Sequence, residues 1–309
     1  MTFQYDPYAL VGITAGIVSL AVAAFIWSRR PGRGVVSFVV LMLGVATWGF
    51  TSALEILAAD LQTKYIFIVI AYGSIGMIPA AWLIFVLEYT GRDQWVTHRN
   101  LLLLTLHPIL LVLLTASNPW HNFFWSDVVL DPQSGIANYA VGPLFWAHSL
   151  YSYVMLAFAA TLLISAFVRA PQLYRGQIIF LMLGQFIPWI ANLLYLAQST
   201  PLPSYVDLTP LGFTIAGLLT GWGLYRYRLM DLTPVAHHTI FDSMHDAVFV
   251  FDSKSRIVDA NQAALTLLNR PAREILGQLA ADVFVDQPDL VSHYEALTEA
   301  DEEITIETT

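Results

Sequence analysis

Residues 9–27 read ALVGITAGIVSLAVAAFIW, and residues 65–89 read YIFIVIAYGSIGMIPAAWLIFVLEY. Both stretches are almost entirely apolar, and each is long enough to cross the hydrocarbon core of a bilayer as a helix. Five further stretches of this kind lie at about 35–58, 100–117, 144–167, 178–197 and 208–227. The sequence therefore predicts a mainly α-helical protein in which residues 1–230 form a seven-helix transmembrane bundle.

The composition supports a membrane protein and excludes several kinds of chemistry. The 309 residues are 57% hydrophobic and 12% charged, with a mean hydropathy of +0.61, which is outside the range of soluble domains. There is no cysteine, so disulfides, thiolate metal sites and cysteine nucleophiles are excluded. Neither of the two lysines, Lys64 and Lys254, follows a glycine, which excludes a P-loop.

Basic residues are distributed unequally between the two sets of predicted connections. Those that follow the odd-numbered helices carry nine arginines: Arg29, Arg30, Arg33, Arg92, Arg99, Arg169, Arg175, Arg226 and Arg228. On the other side the only basic residue is Lys64. Because basic loops stay in the cytoplasm, we expect a multi-pass protein of the plasma membrane with its N-terminus outside and its C-terminus inside.

The long connection at residues 118–143 lies on the predicted outer side and is rich in aromatic residues. One interpretation is an interfacial belt, since aromatic rings prefer the headgroup region. The other is a lid that folds over a cavity at the outer end of the bundle, because ligand pockets combine aromatic walls with a few polar groups. On the second interpretation the candidate ligand-binding residues are Trp120, His121, Trp125, Trp146, His148 and Asn192.

Few polar side chains lie within the predicted spans. Glu55 and Glu88 are near helix ends, so we expect them to extend towards the membrane interface. Pro188 removes a backbone hydrogen bond close to Asn192, which predicts a kink that could hinge the helix or line a pocket.

Two helices carry pairs of glycines four residues apart, Gly12 with Gly16 and Gly217 with Gly221. Such ridges let helix backbones approach closely. They could serve packing within one bundle or a face between two copies of the chain.

Other seven-helix functions fit the sequence poorly. A retinal protein needs a lysine in its seventh helix for the Schiff base, and residues 208–227 contain none. His107, His121 and His148 lack the spacing of metal ligands on one helix. We therefore predict no metal site and no catalytic residue.

The last quarter of the chain is polar and acidic. Residues 1–236 hold ten basic and nine acidic side chains, whereas residues 237–309 hold four and fourteen. This balance argues against binding to nucleic acid.

The C-terminal residues have the pattern of a small α+β module. Thr233 and Pro234 form a helix start, which predicts a linker helix over 231–245. Apolar strands are predicted at 247–251 and 256–259, and Asn261 should cap a helix that runs to Leu268. A further helix should start at Pro271, with Glu274 in its first turn and Gly277 beyond its end.

These residues, VFVFD, then IVDAN with Asn261, then ILG at 275–277, resemble the front half of a PAS domain over about 237–285. The resemblance implies a cytoplasmic PAS-like module, expected to be a partial domain at 246–309 because a PAS fold continues into three further strands. PAS pockets can hold flavin, haem or organic ligands, but many hold nothing, and we expect no cofactor here.

The membrane part resembles the seven-transmembrane N-terminal region of sensor histidine kinases. The resemblance covers about residues 8–236 and is carried by three motifs: Asn118-Pro119 with His121 and Trp125, the run GPLFWAH at 142–148, and LTP at 208–210 with the closing RYRLMDLTP. In that family the region precedes PAS, phosphoacceptor and ATPase domains. No H-E-[LF]-R phosphoacceptor box and no ATP lid occur here. The chain therefore holds no catalytic domain, and the resemblance implies the input half of a kinase.

We therefore expect a membrane signal receptor that acts as the input half of a two-component sensor histidine kinase. An external or membrane signal would pass through helix seven to the PAS module, and the candidate relay residues are Arg226, Arg228, Asp231, Pro234 and Asn261. The expected partners are the lipid bilayer, a second copy of the chain, an unidentified small ligand, and downstream kinase domains or a response regulator. A transporter or channel with a cytoplasmic regulatory domain is the alternative, and a structural scaffold is a third.

Overall fold

A computed structural model describes residues 2–28, 34–131, 135–170, 172–197, 199, 203, 205–226, 241, 244–252 and 255–285. The chain divides into two compact units, Met1–Val235 and Ala236–Thr309. In the described residues, the first unit is mainly helical and contains one hairpin, and the second combines short strands with short helices. This arrangement agrees with the predicted fold class, a helical bundle followed by an α+β module.

Each of the seven predicted spans forms a helix. A helix of only four residues, α5 (Asn118–His121), follows the fourth of them. The long helices are α1 (Ala9–Ser28), α2 (Val35–Leu57), α3 (Leu61–Tyr89), α4 (His98–Ala116), α6 (Pro143–Arg169), α7 (Gln172–Leu196) and α8 (Thr209–Arg226).

By length and composition, six helices in the described part of the chain could cross a membrane: α1 to α4, α6 and α7. The seventh predicted span forms α8, which is 18 residues long. Its four glycines and three threonines lower its hydropathy below that of the other helices. It packs against α1, α2 and α7 within the bundle, so less of its surface needs to be apolar.

The helices pack largely in chain order, and the last long helix, α8, also packs against the first, α1. Neighbours in the chain contact each other from α1 to α4, and α3 also contacts α6. The core lies mainly between α2, α3 and α6, where Phe38, Phe85 and Leu163 are fully buried. Trp82 of α3 donates its indole N–H to the side-chain oxygen of Gln185 in α7, at 3.0 Å. This bond satisfies two polar groups that would otherwise be costly to bury in the bundle.

Several helices begin outside the apolar stretches that predicted them. The third starts at Leu61 instead of 65, because the Asp60 carboxylate accepts the backbone N–H of Thr63 at 2.8 Å. The same bond, together with one from the Thr63 hydroxyl, lowers the pKa of Asp60. The fourth starts at His98 instead of 100, where the Thr97 hydroxyl accepts the N–H of Asn100.

The glycine ridges pack within the bundle. A Cβ atom added at Gly12 would lie 2.4 Å from the carbonyl oxygen of Gly49 in α2, and one at Gly16 would meet the Phe50 ring at 2.8 Å. A Cβ at Gly217 of α8 would lie 2.4 Å from the Met42 sulfur. Of the two interpretations left open, the structure therefore shows packing inside one bundle.

The long connection after α4 folds as an antiparallel hairpin of β1 (Trp125–Leu130) and β2 (Ala137–Val141). Trp125 pairs with Val141 at one end and Leu130 with Ala137 at the other. Gly142 then leads into α6, and the position requires glycine because a Cβ would lie 2.3 Å from the carbonyl oxygen of Phe123. Pro143 follows at the first position of α6, where its missing N–H costs nothing.

The C-terminal unit contains a second antiparallel pair, β3 (Phe249–Phe251) and β4 (Ile257–Ala260). Three short helices follow, α9 (Gln262–Leu268), α10 (Ala272–Ile275) and α11 (Ala280–Val283). As predicted, Asn261 caps the first of them and Gly277 lies beyond the second in the left-handed region, at φ 87°. Ile257, Ile275 and Phe284 form the small core of this unit.

Candidate ligand-binding cavity

A cavity of about 300 Å³ lies inside the bundle, beneath the hairpin. Six helices contribute to its walls, α1, α2, α3, α6, α7 and α8, and β2 of the hairpin covers it through Ala137, Asn138 and Tyr139. Most of the lining is aromatic or aliphatic, and polar groups are spread between the apolar ones. A volume of this size lies at the lower end of the range for small-molecule sites.

The hairpin is held over the cavity by aromatic packing. The Trp125 ring is fully buried, and it meets Tyr65 and Tyr72 of α3 at centroid distances of 5.7 and 5.4 Å, in edge-to-face geometry. It also contacts Tyr139 of the opposite strand at 5.4 Å. Such pairs stabilise beyond the area they bury, by about 0.5–1.5 kcal/mol each.

Asn118, at the start of α5, connects this hairpin to the end of α4. Its side-chain oxygen accepts the backbone N–H groups of Phe124 and Trp125 at 2.8 and 3.0 Å, and its amide donates to the Trp125 carbonyl at 2.9 Å. The side chain is 1% exposed. Three of its hydrogen-bonding positions are therefore used to shape the turn that places the Trp125 ring under the hairpin.

A polar contact joins the hairpin to the bundle. The Tyr139 hydroxyl donates to the carboxylate of Glu55, near the end of α2, at 3.2 Å. Burial, and then the nearby Glu55 carboxylate, raises the pKa of Tyr139 far above its usual value, so this residue stays a neutral donor. Both residues line the cavity.

Lys64 of α3 lies close behind Glu55. Its ammonium group donates to the carbonyl oxygens of Glu55 and Ile56 at 2.7 and 3.3 Å, and it lies 4.0 Å from the Glu55 carboxylate. The lysine thus caps the C-terminal end of α2, where a positive charge is favoured.

A second carboxylate faces the cavity from the start of α8. Asp207 accepts the backbone N–H of Thr209 at 2.8 Å, and burial raises the pKa of this carboxyl to about 6. In α7, the side-chain oxygen of Asn192 accepts the Tyr153 hydroxyl at 2.7 Å, and its amide donates to Thr209 at 3.3 Å. These bonds connect α6, α7 and α8 through side chains in the cavity wall.

Two histidines pair between α4 and α6. The Nε2 atom of His107 lies 3.0 Å from the Nδ1 atom of His148, so one ring donates to the other. His148 is 8% exposed and lines the cavity, and its ring meets Tyr72 edge to face at 6.1 Å. The pair therefore connects the cavity wall to α4, a helix that otherwise packs mainly against α3.

Two protein families match consecutive parts of the chain. The family described as the N-terminal 7TM region of histidine kinase matches residues 11–234, which is more than half of the chain. The chain belongs to this family. A PAS domain family matches the residues that follow, 237–304. No curated protein matches the chain.

The chain is thus a multi-pass membrane protein that joins a 7TM histidine kinase sensor region to a PAS domain. This combination is a sensory input module of a histidine kinase, and it confirms both resemblances that the motifs indicated. The apolar spans, the GPLFWAH entry to α6 and the LTP start of α8 all lie within the matched 7TM region.

The six candidate ligand-binding residues of the 7TM region separate into three groups. His148 and Asn192 line the cavity. Trp125 is buried behind the lining, in contact with the cavity residues Tyr72 and Tyr139. The other three, Trp120, His121 and Trp146, are outside the lining.

For Trp120 and Trp146 the structure places the rings on the outer surface, 89% and 56% exposed. His121 instead stabilises the turn after α5, where its Nδ1 accepts the N–H of Phe123 at 2.9 Å. The sequence predicted that these three residues line the cavity, and in the structure they do not. Some rings of the aromatic loop are thus exposed and others are buried against α3, and both interpretations of the loop stay predictions.

The candidate relay residues are only partly described. Arg226 is the last residue of α8. Arg228, Asp231 and Pro234 lie outside the described residues, as does most of the predicted linker helix. Their proposed role stays a prediction.

Asn261 is fully buried in the PAS unit. Its side-chain oxygen accepts the N–H groups of Val248 and Ala264 at 3.0 and 2.9 Å, and its amide donates to the Asp246 carbonyl at 2.8 Å. It therefore ties the residues before β3 to the start of α9.

Glu55, Tyr139 and Asp207 are cavity residues that sequence reasoning did not select. The expectation that Glu55 extends to the interface overlooked its buried partners, Lys64 and Tyr139, which come from α3 and the hairpin. Asp207 lies just outside the apolar span, next to the LTP motif, and that proximity was the available signal. Among the described residues, no cluster of three or more His, Cys, Asp or Glu side chains could hold a metal ion.

Proposed function

We propose that this chain is the receptor half of a two-component sensor histidine kinase in the plasma membrane, with its N-terminus outside. The cavity beneath the hairpin receives an external or membrane-borne ligand. Its occupancy shifts the bundle between two arrangements, and α8 passes that bias into the PAS domain and on to downstream kinase domains. Only a difference in affinity for the two arrangements is needed.

The observation that carries the proposal is the position of α8. Thr209, Pro210 and Phe213, in its first two turns, line the cavity, and the same helix leads along the chain to the PAS domain at 237–304. An occupant of the cavity would therefore touch the element that precedes the output domain. A second copy of the chain, with which it would form a homodimer, is part of the same proposal.

Filling the cavity without a ligand tests the coupling. The Ser152 hydroxyl of α6 is buried in the cavity lining and has no hydrogen-bond partner among the described groups, so Ser152→Phe should occupy the space. Amide hydrogen exchange of β3 and β4 is then measured in the full chain in nanodiscs. We expect exchange in these strands to change severalfold, because the bundle is held in one of its two arrangements.

Val154→Phe is the matched control, since it adds a ring on the same helix at a position that is 53% exposed on the outer surface of the bundle. It should leave exchange in the strands unchanged. The proposal fails if the Ser152→Phe protein folds and its hydrogen exchange in β3 and β4 also equals that of the wild type.

A second experiment tests the alternative that the chain is a transporter. Proteoliposomes that contain the chain are placed in solutions of sugars, amino acids or amine salts, and their rate of swelling is measured. A sensor should give the same rate as liposomes without protein, whereas a transporter should swell faster in the solution of its substrate.

A further inference from the structure

The chemistry of the cavity indicates its ligand class. Glu55 and Asp207 are the carboxylates on its lining, and the lining contains no lysine or arginine within the described part of the chain. The whole sequence of 34–91, 100–168 and 176–225 holds a single basic residue of these two types, Lys64. Its ammonium group already donates to two backbone carbonyls. A bound anion would therefore find no free positive side chain in these walls.

The two carboxylates act on the same space. Both line the cavity, together with Tyr195 of α7. Glu55 is balanced in part by Lys64 at 4.0 Å, whereas Asp207 has no ion-pair partner among the described residues. A carboxylate that is removed from water without a counter-charge is costly, and a cationic ligand would recover that cost.

The apolar part of the lining suits the same ligand. Aromatic faces attract cations through the ring quadrupole, most strongly for Trp and Tyr. Rings of this kind surround the cavity from five elements: Trp48, Tyr72, Tyr139, Tyr153, Trp189 and Tyr195. A volume of about 300 Å³ corresponds to roughly ten water molecules, so a ligand of about ten non-hydrogen atoms fits.

We propose that the cavity binds a small organic cation, an aromatic or alkyl amine whose ammonium group is held by Asp207 with Glu55 nearby and whose carbon skeleton packs against the aromatic walls. This inference names the ligand class for the site and rests on the proposed receptor function only in taking the cavity as the input site.

The test uses phenethylammonium, which has about the required size, together with its neutral analogue 2-phenylethanol and the anion phenylacetate. Binding to the full chain in nanodiscs is measured by equilibrium dialysis at about pH 7.5, where Asp207 is ionised. Phenethylammonium should bind and protect the protein against thermal unfolding, and the other two should bind at least tenfold more weakly. Equal binding of the alcohol, or no binding of the amine, would overturn the proposal.

Asp207→Asn should weaken phenethylammonium binding roughly tenfold to a hundredfold, the usual range for a charge-assisted hydrogen bond. Asp127→Asn is the matched control, because Asp127 is exposed on β1 and lies outside the cavity lining. If Asp207→Asn does not fold, wild-type binding at about pH 5 replaces it, since protonation of Asp207 should weaken the interaction in the same direction. An affinity unchanged by the substitution, or in its place by pH, contradicts the proposal.

The outcomes separate this inference from the receptor function. Asp207-dependent amine binding that leaves exchange in β3 and β4 unchanged would support the ligand class and contradict signal transfer. An effect of Ser152→Phe on those strands, without any amine binding, would contradict the ligand class and support signal transfer.

Discussion

Asn118 shows how much of the outer structure depends on one side chain. It lies in the Asn-Pro pair that marks the family resemblance, and its three hydrogen bonds with Phe124 and Trp125 shape the entry to the hairpin. The motif therefore has a structural explanation: an amide at this position is both donor and acceptor, which an aspartate cannot match.

Asn118→Ala should destabilise the protein by about 2 kcal/mol or more, because two backbone N–H groups and a carbonyl lose their buried partner. The measurement is the thermal unfolding midpoint of purified protein in detergent. Asn100→Ala serves as control, since the Asn100 amide donates to the Trp95 carbonyl at an exposed site. Equal effects of the two substitutions would show that burial of Asn118 has no energetic importance.

Asp207 should make stability depend on pH. Burial raises its pKa from the ordinary 3.8 to about 6 in the folded protein, so the folded state holds the proton more tightly than the unfolded state. The free energy of unfolding should therefore decrease as the pH rises from about 4 to about 6, and then level off.

Thermal unfolding of wild type and Asp207→Asn across this pH range measures the contribution. The variant should lose that part of the pH dependence, because an amide does not titrate. Parallel curves for the two proteins would contradict the assignment of the shift to Asp207.

At the level of elements, α1 and α2 approach closely because glycines face each other. A Cβ at Gly49 would lie 2.7 Å from the carbonyl oxygen of Gly12, and the reverse distance is 2.4 Å. Backbone oxygens cannot move aside as a flexible side chain can. By contrast, a Cβ at Gly221 of α8 would meet Val22 at 3.5 Å, which is ordinary contact.

Gly12→Ala should therefore destabilise the bundle by about 1–3 kcal/mol, the usual cost of overpacking. Gly221→Ala should be neutral or stabilising by up to about 1 kcal/mol, since alanine favours helix. Both substitutions add the same methyl group to a glycine ridge, so unfolding midpoints compare them directly. If both variants had the same unfolding midpoint, the close approach of α1 and α2 would not explain the effect of Gly12→Ala.

Helix existence was predictable at this scale, whereas helix ends were less so. The apolar stretch of α3 starts at Tyr65, yet the helix begins four residues earlier because Asp60 caps it and Lys64 is buried. In the PAS unit the local signals were stronger: Asn261 predicted the start of α9, and the expected end at Leu268 is confirmed. A helix cap can be recognised from the residues next to it in the sequence, whereas the burial of a lysine depends on side chains and backbone from other elements.

At the level of the whole molecule, the orientation in the membrane is a prediction from the nine-to-one distribution of basic residues. The chain has no cysteine, so single cysteines can report on it without background. Ser126 of the hairpin and Gln94 of the turn before α4 are both exposed. In intact cells, Ser126→Cys should react with a membrane-impermeant maleimide, and Gln94→Cys should react only after the cells are permeabilised.

The reverse pattern would invert the orientation, placing the hairpin in the cytoplasm. The double variant, labelled before and after permeabilisation, serves as an internal control because it should gain its second label only in the second step. The cavity would then face the other side of the membrane, and the receptor would sense an internal signal.

The sequence by itself determined the seven helices, the division of the chain into two units and the PAS character of the second, because hydrophobicity, caps and turns act over short distances. Only the tertiary structure decided the cavity. Tyr139 and Glu55 are 84 residues apart, and Tyr153 and Asn192 are 39 apart. Contacts at such separations arise from the packing of helices and the hairpin against one another, which no local sequence pattern encodes. For this reason only the assembled bundle shows that Glu55 and Asp207 line the same cavity.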